Sequence, residues 1–305
     1  MASAAVEHRR KVAINVTLAL AIMVGLGAAS AQFKKYIDKR AMAANPEPPH
    51  VVLKNRPAWM SDFLADSITA PVRPDIAKSP FDHQVLVDAV AALKQNPWIR
   101  EIHDVRRTYT NSPGDTIEVD CEYRAPIALV KWNDHYTLID NQGTVLPEQF
   151  SESEIPRIAY GADGKMNIRV IDGVAHKPAS PGDRWPGADL AAGIELVQLL
   201  YGQPYAEDIL KVNVANFQGR HSPRDPQLTL VTRFNPATEL RWGRPVTSKD
   251  GFIEVSPAQK LNYLSSVYNK YHRVDAGQPW LDLRFDHILY PAPETDSAAQ
   301  ASAVK

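Results

Sequence analysis

The feature that most constrains this chain is an uncharged, mainly apolar stretch near its N-terminus, residues 12–33, with the sequence VAINVTLALAIMVGLGAASAQF. As an α-helix, a stretch of this length spans roughly 33 Å, which matches the hydrocarbon core of a bilayer. Basic residues bracket it, because residues 9–11 are Arg-Arg-Lys and Lys34, Lys35, Lys39 and Arg40 follow it. The pattern predicts a transmembrane helix over residues 12–33.

Two other interpretations of the stretch stay open. It could be a signal peptide, since residues 9–11 form a basic start and residues 29–31 (ASA) form a cleavage-site pattern. It could also be a buried core helix. The stretch exceeds the apolar region of a typical signal peptide, and basic residues follow it closely, so a retained anchor is favoured. We then expect residues 1–11 to be a cytoplasmic tail and residues 34–305 to lie outside the membrane.

The chain as a whole has the composition of a folded protein, with 44% hydrophobic and 23% charged residues. Lys and Arg number 34 and Asp and Glu 35, so the net charge of -1 gives no overall attraction for nucleic acid. Cys121 is the single cysteine, which excludes an intrachain disulfide and any zinc site that needs two thiolates.

Segments rich in proline or in small polar residues divide the chain. Residues 41–57 contain four prolines, and residues 34–57 are therefore predicted to be an extended linker. Residues 291–305 (PAPETDSAAQASAVK) are predicted to be a disordered tail. Two folded domains are expected between them, at residues 58–146 and 147–290.

The first folded segment shows both helical and strand periodicity. Residues 79–93 have helical spacing, and Ser79 and Pro80 form a start signal. Residues 116–124 alternate with period two, which places Cys121 on the inner face of a half-buried antiparallel strand. A hairpin is predicted at residues 127–139. The second segment contains two helical patterns, after Asp189 and Ser256, and four strand patterns. The predicted fold class is α+β, with a small first domain and a mixed second domain around an antiparallel sheet.

Motifs that would carry catalysis do not occur at the right spacing. The sequence has no His-Glu-x-x-His and no Gly-x-Ser-x-Gly, and residues 161–165 (GADGK) lack the spacing of a phosphate-binding loop. Asp282 and Arg284 lie two residues apart on a predicted strand, where a structural ion pair is the preferred interpretation. We therefore predict no catalytic residue, metal ligand, cofactor or small-molecule substrate.

An ordered series of motifs resembles the FtsQ/DivIB family of bacterial cell division proteins. The POTRA-like part of the pattern consists of residues 97–99 (PWI), 105–107 (VRR), 116–117 (TI), 122–128 (EYRAPIA) and 136–143 (YTLIDNQG). The closing part consists of residues 239–244 (ELRWGR), 260–261 (KL) and 280–285 (WLDLRF). The stretch 109–113 departs from the family by being a few residues longer. The resemblance covers residues 10–290 and implies a POTRA domain at 58–146 and a β domain at 147–290.

The resemblance also implies a function. Members of the family are non-catalytic, single-pass scaffolds of the inner membrane that recruit other membrane-anchored division proteins. Their β domain binds a partner segment by extending the edge of its sheet. In this chain the corresponding stretch is 282–290, shorter and more apolar than usual after residue 285. Its expected partner-binding residues are Asp282, Arg284, Phe285, Asp286, His287, Ile288, Leu289 and Tyr290.

Two other functions remain as alternatives to the scaffold. One is an exported envelope enzyme, which would need an acid, a base and a nucleophile brought together in a cleft. The other is a POTRA-type envelope assembly factor, which is expected to continue into a β-barrel of many alternating strands.

Overall fold

The computed structural model describes residues 2–44, 48–72, 82–111, 115–160, 166, 168–248 and 254–291. It is an α+β structure with an N-terminal apolar helix and mixed sheets. Its contacts separate into two compact units, Met1–Tyr123 and Arg124–Lys305. Most of the predicted C-terminal tail, at residues 292–305, lies outside the described residues, as do Ser79, Pro80 and residues 161–165.

The first unit begins with one long helix, α1, at Ala2–Ala44. The apolar stretch 12–33 lies inside it. Within the helix, Thr17–Ala41 is long and apolar enough to cross a membrane, and its most apolar window buries nothing against the rest of the protein. A retained anchor and a signal sequence share these properties, so the helix agrees with both.

The remainder of the first unit is a three-stranded sheet with two further helices. The sheet has the order β1-β3-β2 and the helices precede β2. The strands are β1 (His50–Lys54), β2 (Ile99–Thr108) and β3 (Thr116–Tyr123), and the helices are α2 (Asp62–Thr69) and α3 (His83–Lys94). The alternation predicted for β3 is confirmed, because its apolar side chains Ile117, Val119, Cys121 and Tyr123 are all buried.

Strand β1 corrects the predicted linker at residues 34–57. It pairs in parallel with β3, from His50 opposite Thr116 to Lys54 opposite Asp120. The ammonium group of Lys54 lies 2.7 Å from a carboxylate oxygen of Asp120, and the Tyr123 hydroxyl donates to the carbonyl of Lys54 at 3.1 Å. The prolines of this region flank the strand and do not interrupt it. A proline-rich composition therefore concealed a five-residue strand.

The second unit contains an eight-stranded sheet of order β11-β10-β9-β8-β7-β4-β5-β6. Its strands are β4 (Pro126–Trp132), β5 (His135–Asp140), β6 (Val145–Phe150), β7 (Arg169–Asp172), β8 (Ile209–Asn213), β9 (Leu228–Thr232), β10 (Glu239–Gly243) and β11 (Trp280–Asp282). Its helices are α4 (Ile155–Ala159), α5 (Ala188–Leu200) and α6 (Pro257–Tyr271). The expected antiparallel sheet is mixed, since β4 and β7, β7 and β8, and β10 and β11 pair in parallel.

The unit boundary also differs from the predicted domain boundary after residue 146. The hairpin at residues 127–139 forms β4 and β5, and β4 pairs with β7 of the second sheet. Ala128, Val130 and Ile139 are fully buried in the same core as α5. These strands therefore group with the second unit, whereas the predicted boundary lies two strands later, inside β6.

One face of this sheet is apolar across its strands. A row of side chains runs from β7 to β11 in register, and each is fully buried: Ile171, Val212, Leu230, Leu240 and Leu281. Side chains of α5 and α6, including Leu196 and Leu264, join the same core. Burial of this row fixes which face of the short β11 points inward, and so fixes the geometry at that edge of the sheet.

Candidate protein-interaction edge

The eight-stranded sheet has two edges, at β6 and at β11. The edge at β6 is partly covered, because Val145 donates its amide to Asp183 at 2.9 Å and accepts from the amide of Gly182 at 2.8 Å. Thr144 forms a bridge with Arg184 just before that strand. The β11 edge contains the stretch that sequence analysis singled out.

Strand β11 is held on one side by β10. Its parallel register places Trp280 opposite Glu239 and Leu281 opposite Leu240. The Glu239 amide donates to the carbonyl of Pro279 at 3.4 Å, and the Leu283 amide donates to the carbonyl of Arg241 at 3.1 Å. Backbone groups alternate along a strand, so the amide and carbonyl of Asp282 point away from β10.

The strand stops at Asp282 because its carboxylate bonds to the chain that follows. The side chain of Arg284 donates to both carboxylate oxygens, from Nε at 2.9 Å and from Nη2 at 2.7 Å. The backbone amide of Arg284 donates to the same carboxylate at 3.2 Å. The pairing with Asp282 raises the pKa of the Arg284 guanidinium. The predicted structural ion pair is thus present, and it also turns the chain.

Two contacts from neighbouring segments fix the turn. The Tyr263 hydroxyl, on α6, donates to the carbonyls of Phe285 and Asp286. The amide of Val255 donates to the carbonyl of Arg284 at 3.0 Å. The chain therefore leaves the strand direction at residues 284–287 and comes back along the outer side of β11.

Leu289 is where the returning chain meets β11. Its amide donates to the carbonyl of Asp282 at 3.1 Å, and its carbonyl accepts from the amide of Asp282 at 3.0 Å. The two residues form an isolated antiparallel bridge. The expected continuous strand at 282–290 is therefore wrong, because Asp282 ends the strand and the amide of Leu289 already has a partner.

The predicted partner-binding residues fall into distinct environments. Asp282 is buried and its side chain is occupied by Arg284, so it supports the turn and offers no contact surface. Ile288 and Leu289 are half-buried, like Arg284. The exposed members are Phe285, Asp286, His287 and Tyr290.

The outermost backbone belongs to residues 288–290. Since the amide and carbonyl of Leu289 face Asp282, those of Ile288 and Tyr290 point the other way by alternation. Pro291 follows and has no amide hydrogen. The edge thus presents a short row of outward backbone groups that ends at a proline.

Sequence reasoning missed two residues beside this edge, at the end of α6. Tyr271 is 47% exposed, and the ammonium group of Lys270 lies 4.9 Å from the centre of its ring. The hydrogen bond to Tyr271 raises the pKa of Lys270, and Tyr290 contributes in the same direction. The helical spacing of α6 pointed to its buried side, so it gave no sign that its last turn would flank the edge.

The outward backbone groups of this edge suit recognition of an extended partner segment. No group of three or more His, Cys, Asp or Glu side chains within the described ranges could hold a metal ion. A shallow polar groove of about 310 Å³ lies on the sheet face near Arg241 and is lined by Asn213, Thr229 and Glu239. Outward amide and carbonyl groups at residues 288–290 can instead accept an added strand, with the exposed aromatic rings beside them for side-chain contacts.

The chain matches no protein-family model and no curated protein.

Proposed function

We propose that this chain is a non-catalytic, membrane-anchored scaffold of bacterial cell division, of the FtsQ/DivIB kind. In this proposal α1 holds it in the cytoplasmic (inner) membrane, a POTRA-like domain follows, and the second unit binds other membrane-anchored division proteins. The ordered sequence motifs at residues 97–143 and 239–285 support the family. Among the described residues one helix is long and apolar enough to cross a membrane, and its place at the start of the first of two units supports the architecture.

The observation that carries the binding role is the outward-facing backbone of Ile288 and Tyr290, on either side of the inward-bonded Leu289. Each backbone hydrogen bond that a partner strand makes there adds about 0.5–1.5 kcal/mol, and the short row permits only a few of them. Affinity and selectivity therefore depend as well on the exposed aromatic side chains Phe285, Tyr271 and Tyr290. A partner strand with apolar side chains at alternate positions satisfies both requirements.

A pair of substitutions at Tyr290 tests this mode of binding. Tyr290→Ala removes the ring and keeps the outward amide, whereas Tyr290→Pro removes both. The site tolerates proline in backbone terms, since the residue already precedes Pro291 and is restricted to extended conformations. We expect Tyr290→Ala to weaken capture of membrane partners and Tyr290→Pro to abolish it.

Leu289→Pro is a poor probe of the same idea, because it also breaks the internal bond to Asp282. The decisive measurement is co-purification of the full chain from membranes with identification of what it retains. Equal partner recovery by Tyr290→Ala and Tyr290→Pro would show that the outward amide contributes nothing. Recovery equal to wild type by both would remove this edge as the binding site.

A further inference from the structure

Two aromatic side chains are exposed at the start of α2, in the unit that follows the membrane helix. Phe63 is 82% exposed and Trp59 is 44% exposed. The residues of α2 that face the core are Ala65 and Ile68, and Phe63 lies about 200° around the helix from Ala65. Phe63 therefore points away from the core side of α2, which agrees with its high exposure.

The turn that carries these rings is rigid. The guanidinium of Arg56 donates to the carbonyl of Met60 at 2.6 and 3.1 Å and lies 2.6 Å from the carboxylate of Asp62. Ser61 caps α2 by accepting from the amide of Leu64 at 3.2 Å. The Trp59 ring is backed by the buried ring of Trp98, with their centroids 6.1 Å apart. The backbone that carries the two aromatics is thus ordered before any partner arrives, and the Trp59 ring rests on Trp98.

Exposed apolar patches mark protein or membrane contact sites, and Trp59 and Phe63 lie four residues apart in the chain, both exposed. The position in the chain favours the membrane. Six backbone steps separate the end of α1 at Ala44 from the start of β1 at His50, which limits their separation to about 21 Å. The folded part of this unit is therefore tethered close to the bilayer that would hold α1.

The charges around the turn fit insertion into uncharged lipid regions. Residues 54–69 contain two basic residues, Lys54 and Arg56, and two acidic residues, Asp62 and Asp66, so this segment has no net charge. Electrostatic attraction to anionic headgroups would therefore not hold this segment at the membrane. Trp and Phe are the side chains that settle at the boundary between headgroups and acyl chains.

We propose that Trp59 and Phe63 dock into the headgroup–acyl boundary of the membrane that holds α1. The docking rests on the proposed anchoring by α1. It would fix the first unit against the bilayer surface and limit its motion at the end of the tether.

Spin labels in the full chain, reconstituted in phosphatidylcholine nanodiscs at one copy per disc, test the docking. Ser67→Cys places a label one turn beyond Phe63 on the exposed side of α2, and Leu20→Cys places one within the apolar stretch of α1. Collision with oxygen reports lipid exposure, and collision with a water-soluble nickel chelate reports water exposure. Cys121 is buried, and the chain without an added cysteine measures its background labelling.

We expect the nickel chelate to collide several-fold less often with the label at Ser67→Cys than with the same label at Ser266→Cys, an exposed position on α6. Phe63→Leu should retain this protection, and Phe63→Asp should remove it, because only the aspartate cannot enter the boundary. Added salt should not change the protection of the Ser67→Cys label, because the segment has no net charge.

The outcomes separate the docking from the anchor. If Leu20→Cys is not lipid-exposed, the anchor fails and the docking fails with it. If Leu20→Cys is lipid-exposed while Ser67→Cys collides freely with the chelate, the anchor stands and the docking is wrong. Protection that appears only at two copies per disc would identify a protein contact and would also overturn the proposal.

Discussion

The turn after β11 depends on one buried carboxylate, so Asp282→Asn is the most informative single change in the second unit. The side chain of Asp282 is 3% exposed and that of Arg284 is 19% exposed, with their closest atoms 2.7 Å apart. Removing one charge of such a pair costs about 3–5 kcal/mol. Asparagine can still accept one of the hydrogen bonds, so the lower end, about 3 kcal/mol, applies. Since each 1.4 kcal/mol is a factor of ten, local opening should become roughly 100-fold more frequent.

Hydrogen–deuterium exchange of the full chain, read on peptides covering residues 283–291, measures this opening. The amide of Leu289 should exchange roughly 100-fold faster, because its partner is Asp282 itself. The amide of Leu283 should change little, because it is bonded to Arg241 in the sheet. Glu239→Gln is the matched control, since its ion pair with Arg241 is longer, at 3.4 Å, and exposed.

Unchanged exchange of Leu289 in Asp282→Asn would refute the reasoning, because it would mean that Tyr263 and the core hold the turn without the carboxylate. Faster exchange of Leu230, at the centre of the sheet, would refute it differently, by showing that the substitution unfolds the whole unit.

Three further predictions concern stability. Burial acts to raise the pKa of Asp140, but hydrogen bonds from the Thr144 amide and other donors outweigh it, so the pKa is lowered overall. A carboxylate whose pKa is depressed in the folded state stabilises the protein above about pH 4, and this stability is lost as the pH falls. Asp140→Asn should therefore show a smaller fall in melting temperature below that pH than the wild type. Cys121 is 4% exposed and burial raises the pKa of its thiol, so it should react slowly with thiol reagents in the native protein, and Cys121→Ser should cost about 1–3 kcal/mol in urea unfolding. Lys260 is buried 2.7 Å from Glu254, so Lys260→Met should lower the urea unfolding free energy by about 3 kcal/mol, and Lys260→Arg by less.

The sequence predicted those elements that are determined by residues within the element itself. The alternation of β3 follows from period two alone, and α6 begins where Ser256 and Pro257 indicate, with the Ser256 hydroxyl accepting from the amide of Gln259 at 3.2 Å. Asp189 shows where such signals stop. Its place ahead of a helical pattern suggests that it caps the helix, but α5 starts after Gly187, and Asp189 is buried 2.8 Å from Arg220. The same residue type serves a distant partner that the local sequence does not reveal.

Pairings between distant strands account for most of what the sequence could not predict. The parallel pairs of the second sheet join segments separated by a helix or a long loop. The residue pattern of β4 therefore does not predict that β7 is its neighbour. The same limit concealed β1, whose partner β3 lies more than sixty residues away. These two pairings explain why the predicted linker included β1 and why the predicted domain boundary was placed after residue 146.

The sequence placed a sheet edge near residues 282–290 but did not predict its form. Residues 280–285 alternate as a strand should, yet Asp282 can bond to the backbone two residues on, and this local bond competes with the sheet ladder. The local bond forms in place of a longer sheet ladder because Arg284 neutralises the Asp282 carboxylate and Tyr263 donates to the carbonyls that follow. Alternation records which side chains are buried and carries no information on where a strand stops.

The form of the edge sets the kind of partner that the proposed scaffold can bind. Long unpaired edges invite unspecific pairing, and both edges of this sheet are shortened, one by residues 182–184 and the other by Leu289. What remains open at residues 288–290 is too short for backbone bonds to give tight binding alone. Selectivity must then come from the rings of Phe285, Tyr271 and Tyr290. A partner that lacks complementary apolar side chains should therefore bind weakly, however well its backbone is extended.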